Sequence, residues 1–307
     1  MPDQADLVDV AGKVSSQKYK VIAMRWISFA LPVQTVALAI FGALTVLTVP
    51  AAAQKTTAEG IAEYRAMLAD GNPAELYEAK GEGLWKLARG PKNASLEKCD
   101  LGKGPGVVKG SFVELPRFFA DTQRVQDLES RLLTCMEQLQ GFNSAEIAKT
   151  GFGLGEQKNI ESLVAYISSE SRGLNFNLPQ THAKEKLMYE VGKKVFYLRG
   201  GPYDFSCASC HGEDGKRIRL QELPNLTKNP GDGVGFAAWP AYRVSNGEMW
   251  SLQLRLNDCY RQQRFPYPGY ASDVTIALGV LAFKARCGRR AALAVHTHVD
   301  AQRNGRI

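Results

Sequence analysis

Apolar residues along this chain recur at three- and four-residue spacing. Ala74–Leu87, Val125–Leu139, Ala183–Leu198, Gly247–Gln263 and Ser272–Ala285 each place them on one face, as does 156–170, and these segments are predicted as helices. Long alternating patterns are absent, so strand content should be small. The Gly- and Pro-rich stretches Gly104–Gly110 and Asn225–Pro240 read as loops. The expectation is a mostly α protein.

One apolar run has no helical face. Val36–Val49 reads VALAIFGALTVLTV, with Lys18, Lys20 and Arg25 before it and Ala51-Ala52-Ala53 after it. A basic region, a short apolar region and an Ala-x-Ala site make a secretory signal over residues 1–53, with cleavage after Ala53. A membrane anchor needs about 20 apolar residues, and Pro32, Gln34 and Thr35 interrupt any extension back to Ile27. The mature chain is therefore expected in the periplasm, not embedded in a membrane. Residues 1–23 are polar for a signal, which leaves Met24 as an alternative start.

The remainder repeats itself weakly. Tyr77-Glu78 recurs as Tyr189-Glu190. Gly90-Pro91 recurs as Gly201-Pro202, and at that same offset Cys99 falls opposite Cys210. At a second shared offset Pro116 matches Pro240, Arg131 matches Arg255 and Cys135 matches Cys259. Internal duplication is the simplest source of two ordered, shared offsets. The expected organisation is two related domains, residues 54–172 and 173–287, followed by a tail, 288–307.

Composition adds little to this picture. With 38 Lys and Arg against 31 Asp and Glu, the net charge is +7. The basic residues are scattered rather than clustered, which points to a small anion or an acidic protein and away from nucleic acid.

The chemistry enters with Cys207-Ala-Ser-Cys210-His211. In an exported chain Cys-x-x-Cys-His is the attachment site of a c-type haem, with the two thiols joined to the haem and His211 on its iron. The opposite position in the first copy reads Leu96-Glu97-Lys98-Cys99-Asp100 and lacks one cysteine and the histidine. One covalent haem c is expected, in the second copy alone. Its walls should be the helices Ala183–Leu198 and Ser272–Ala285. For the sixth iron ligand the residues offer Cys259, Met249 and His182. Arg255 lies one turn before Cys259, with Arg261 and Arg264 after it, a setting expected to favour a thiolate.

Trp239-Pro-Ala-Tyr-Arg-Val-Ser-Asn-Gly-Glu-Met-Trp250, followed by Arg255-Leu-Asn-Asp-Cys259-Tyr-Arg, resembles the SoxA family. This is the catalytic haem subunit of the SoxAX cytochrome of thiosulfate oxidation, and the likeness extends over roughly residues 58–286. It implies an L-cysteine S-thiosulfotransferase that couples thiosulfate oxidatively to a cysteine of the carrier SoxYZ. Electrons would leave through a SoxX haem subunit to a small cytochrome c. It also implies that His211 and Cys259 are the axial ligands, with Cys259 carried as a persulfide and Arg255 beside it. In the single-haem branch Cys99 and Cys135 would be bridged. The competing reading is an electron-transfer cytochrome with Met249 on iron. The tail, with Cys287, His296 and His298, matches nothing in the family pattern.

Overall fold

The computed structural model describes residues 71–218, 221–227 and 239–285, all within one compact unit. The expected signal segment with Met24, the tail with Cys287, His296 and His298, and most of the predicted loop after Asn225 lie outside the described residues.

Among the described residues eight α-helices carry the fold: α1 Pro73–Lys86, α2 Leu128–Cys135, α3 Ser144–Lys149, α4 Glu156–Ser169, α5 Ala183–Tyr197, α6 Cys207–His211, α7 Leu252–Gln262 and α8 Asp273–Lys284. A single π-turn, Met136–Gln140, extends α2. Polar residues just before the apolar runs set the starts. Asn72, Asp127, Ser251 and Ser272 each accept a hydrogen bond from a backbone N–H two or three residues on. None of the described helices is long and apolar enough to cross a membrane.

Two helix pairs form the frame: α1 lies along α4, and α5 along α8. Each crossing is made by a glycine. A Cβ added at Gly81 would overlap the Ser162 carbonyl, and one at Gly192 would overlap the Ala277 carbonyl. The backbones touch where other residues would hold them apart.

The described strands form three antiparallel hairpins. β1 (Arg117–Phe119) pairs with β2 (Arg124–Gln126), β3 (Arg217–Ile218) with β4 (Gln221–Glu222), and β5 (Ala241–Arg243) with β6 (Glu248–Trp250). The first and third run directly into α2 and α7. These hairpins correct two of the predicted helices. Val125 and Gln126 belong to β2, and Glu248, Met249 and Trp250 to β6. Val125, Met249 and Trp250 are buried apolar strand positions, and they extended the helical pattern by coincidence until the caps Asp127 and Ser251.

One hydrophobic cluster runs through both halves, from Trp85 and Leu96 through Leu132 and Leu163 to Trp250, Leu278 and Phe283. Phe112, Phe176 and Phe283 touch ring to ring at 5.4–5.8 Å between centroids. Beside this core lies a buried polar seam. Both Glu161 carboxylate oxygens accept from Ser251, from its N–H at 2.6 Å and its hydroxyl at 2.9 Å. Gln253 donates to Asp127 at 2.6 Å. Glu129 and Tyr270 are buried in the same seam. Cys99 and Cys135 are joined by a disulfide across a sequence separation of 36.

Candidate active site

Helix α6 is short and held at both ends. Ser206 accepts from the Ser209 N–H at 3.2 Å, and the Ser209 hydroxyl accepts from the Ser206 N–H at 2.9 Å. The segment 223–227 is strapped over its end, with the Leu226 N–H donating to the His211 carbonyl at 2.8 Å. His211 Nδ1 lies 3.0 Å from the Pro224 carbonyl oxygen. That oxygen only accepts, so Nδ1 carries the proton and Nε2 is the nitrogen with a lone pair for a metal.

Across the cleft, α7 presents Arg255 and Cys259 four residues apart, on one helical face. Cys207, Cys210, His211, Arg255 and Cys259 line one cleft together with Arg243, Tyr260 and Phe265. The cleft is open to solvent at its mouth. The neighbouring helices α5 and α8 form the packed pair expected at this position.

The charges are organised by Asp258. Its Oδ2 accepts from Arg255 Nη1 at 2.8 Å, Gln262 Nε2 at 2.8 Å and Arg243 Nη1 at 3.4 Å, and its Oδ1 accepts from Arg261 Nη2 at 2.8 Å. Burial alone would raise the Asp258 carboxyl, but the Arg261, Arg255 and Arg243 guanidiniums outweigh it and hold the group below its ordinary range. Arg243 stacks 4.2 Å from the Trp250 ring centroid, and Arg255 lies 5.8 Å from that of Trp239.

The thiols behave differently from the sequence expectation. Burial pushes the Cys207 thiol up to about 12, with Cys259 adding to the effect. It also raises Cys210, against the pull of Lys216. Cys259 was expected to be a stabilised thiolate; instead burial raises its pKa and outweighs the lowering by Arg255 and Arg243. Arg261 is largely exposed, and Arg264 stacks over Tyr203 at 5.7 Å, so neither offsets that burial.

This donor set fits a covalent haem c. A buried thiol resists becoming an anion, but a thioether carries no charge, so the same burial does not oppose attachment through Cys207 and Cys210. A thiolate at Cys259 needs a further cation, which a ferric iron would supply.

The structure brings Cys207, Cys210, His211, Arg255 and Cys259 together and places the other two ligand candidates elsewhere. Met249 is buried with Ala74 and Ala165 against Tyr77 and Tyr242. His182 caps α5 through Nδ1 and stacks on Phe118 at 3.7 Å. Arg243 and Asp258 went unassigned in the sequence. Their signal was membership of the Trp239–Trp250 and Arg255–Cys259 stretches, without any indication that the two meet.

Residues 80–176, almost all in the half that lacks Cys-x-x-Cys-His, match the model of the SoxA/TsdA cytochrome c domain; membership of such a family implies covalently bound haem c. The L-cysteine S-thiosulfotransferase subunit SoxA of Hydrogenophilus thermoluteolus is 56% identical over 222 residues, 72% of this chain and 81% of that protein. A SoxA subunit of Hydrogenobacter thermophilus is 33% identical, over 70% of this chain and 79% of its own length. The crystal structure of SoxXA from P. pantotrophus superposes with a TM-score of 0.59, covering 74% of this chain and 78% of that one at 24% identity. Identity of 56% over most of both chains makes the chain a member of the SoxA family.

Proposed function

We propose that this chain is the haem-bearing L-cysteine S-thiosulfotransferase subunit of a periplasmic thiosulfate-oxidising system. It joins thiosulfate to a cysteine of a SoxYZ-like carrier and works beside a SoxX-like haem subunit that passes electrons to a small cytochrome c. The overall change is thiosulfate plus carrier thiol giving the carrier S-thiosulfonate, one proton and two electrons. The observation that carries this reading is the convergence of Cys259 and Arg255 with Cys207, Cys210 and His211 on one cleft.

In this reading Cys207 and Cys210 would hold one haem c covalently, and His211 and Cys259 would ligate its iron. Bound there, the haem supplies a one-electron acceptor and a cation against the Cys259 sulfur. Arg255 binds the sulfonate end of thiosulfate. The Cys259 thiolate forms a bond to the outer sulfur of thiosulfate with loss of two electrons, for which this haem and that of the partner subunit would be the acceptors. The carrier thiolate then attacks that outer sulfur, takes the thiosulfonate group and releases Cys259 as thiolate. The second acceptor is required because one haem takes one electron.

We assign residues 54–172 to a copy of the domain that carries no haem, and 173–287 to the haem domain. Supporting this, each half has a helix pair crossed at a glycine and a hairpin leading into a capped helix. Each also has a turn glycine, Gly90 or Gly201, set against the carbonyl of Gln140 or Arg264. These four residues fall at the two offsets of the sequence repeat. The export signal at 1–53 supports the periplasmic assignment.

Replacing Cys259 separates transferase chemistry from simple electron transfer. Cys259→Ala or Cys259→Ser should retain covalent haem, shift the haem absorption spectrum and abolish coupling to the carrier. Arg255→Leu should keep a near-native spectrum and raise the KM for thiosulfate about tenfold or more. An unchanged spectrum and normal coupling in Cys259→Ala would refute the assignment.

A further inference from the structure

The cleft holds more positive charge than its carboxylate can balance. Arg243, Arg255 and Arg261 all turn to Asp258, so three guanidiniums share one negative charge. Arg261 occupies Oδ1, while Arg243 and Arg255 must share Oδ2, with Arg243 at the longer 3.4 Å. Arg243 is thus the least satisfied of the three, and the approach of Arg255 together with burial disfavours its charge. It is not free to swing away: the Trp250 ring lies under its guanidinium, and its backbone is fixed in β5 opposite Glu248. Arg243 lines the same cleft as Cys259 and comes from a hairpin, whereas Arg255 comes from α7.

Resting on the transferase reading above, we infer that Arg243 is a second substrate-binding residue: with Arg255 it forms a two-guanidinium clamp for the sulfonate of a sulfur oxyanion dianion, held open by Asp258 beside Cys259. Two planar donor forks reaching from different elements give an anion a fixed orientation as well as charge. Asp258 holds both guanidiniums through its Oδ2 but carries too little charge to neutralise them. The excess is suited to a dianion.

The test uses the holoenzyme with its haem partner subunit. Sodium thiosulfate alone, with the carrier withheld, is titrated calorimetrically, and steady-state coupling is then measured with the carrier present. Arg243→Gln should bind thiosulfate about tenfold or more weakly, the loss expected for one charge-assisted hydrogen bond. Its KM should rise by a similar factor while kcat stays within about threefold. Lys86→Gln, which removes the same charge from the exposed face of α1, should bind like wild type. Should Arg243→Gln lose its haem, Arg243→Lys carries the test. It keeps the charge but loses the fork, and should bind several-fold more weakly at native haem content. Native affinity in the haem-replete variant, where the wild type binds and couples thiosulfate, overturns the clamp. A wild type that neither binds nor couples thiosulfate overturns the proposed function and the clamp with it.

Discussion

Glu161 accepts two hydrogen bonds from Ser251, yet burial still pushes its carboxyl up to about 8. Glu129 is raised in the same direction by burial, with Asp127 and Glu161 adding to it. A carboxyl with an ordinary value near 4.5 when unfolded and about 8 when folded keeps a proton that the unfolded chain releases. Stability therefore falls as pH rises from about 4.5 to about 8 and levels off above. The span corresponds to something of order 5 kcal/mol for full burial. Glu161→Gln should flatten this part of the profile, as read from urea midpoints between pH 5 and 8; an undiminished slope would rule out Glu161 as its source. None of this was legible in the sequence, where Glu161 is one polar position in a helical pattern. Its burial depends on Ser251, ninety residues away. That Cys207, Cys210 and His211 line one cleft was legible because their spacing puts them on one short helix. Cys259 and Arg255 were legible as neighbours on a helix, but the direction of the thiol's pKa was not, because flanking charges show in a sequence and desolvation does not.

At the scale of elements, the two helix pairs turn on single glycines. Gly81→Ala or Gly192→Ala drives a methyl group into a backbone carbonyl that cannot rotate aside. Overpacking costs about 1–3 kcal/mol, and alanine's helix preference returns about 1. A backbone obstacle belongs at the upper end, so the net loss should be about 2 kcal/mol, or roughly 4–8 °C in Tm. Gly83, in the same helix as Gly81, has nothing within 4 Å of an added Cβ. Gly83→Ala should be neutral or stabilise by up to about 1 kcal/mol. If all three variants melt alike, the crossings are looser than described. Helix positions followed well from apolar spacing, since one face of each helix meets the shared core. Two helix starts did not, because the strands β2 and β6 bury Val125, Met249 and Trp250 and mimic the helical pattern. In both places the polar caps Asp127 and Ser251 carried the correct information.

For the molecule as a whole, the first half is held by the Cys99–Cys135 bridge and by a core continuous with the second half. Closing a loop of this length stabilises by about 3–4 kcal/mol in chain-entropy terms. Replacing both cysteines with alanine should cost that much in chemical denaturation. It should leave the visible spectrum of the haem half unaltered. A spectrum that changes with the bridge would show that the two halves are electronically or sterically linked.

The tie between Glu161 and Ser251 also bears on inheritance. Ser251 caps the helix that aims Arg255 and Cys259, and its own anchor is a carboxyl supplied by the half without the attachment motif. Gln253, two residues further on, is held by Asp127 of that same half. A lineage could therefore not discard the half without the motif and keep the cleft: that half is the jig in which Arg255 and Cys259 are set, and a change at Glu161 or Asp127 would be felt there.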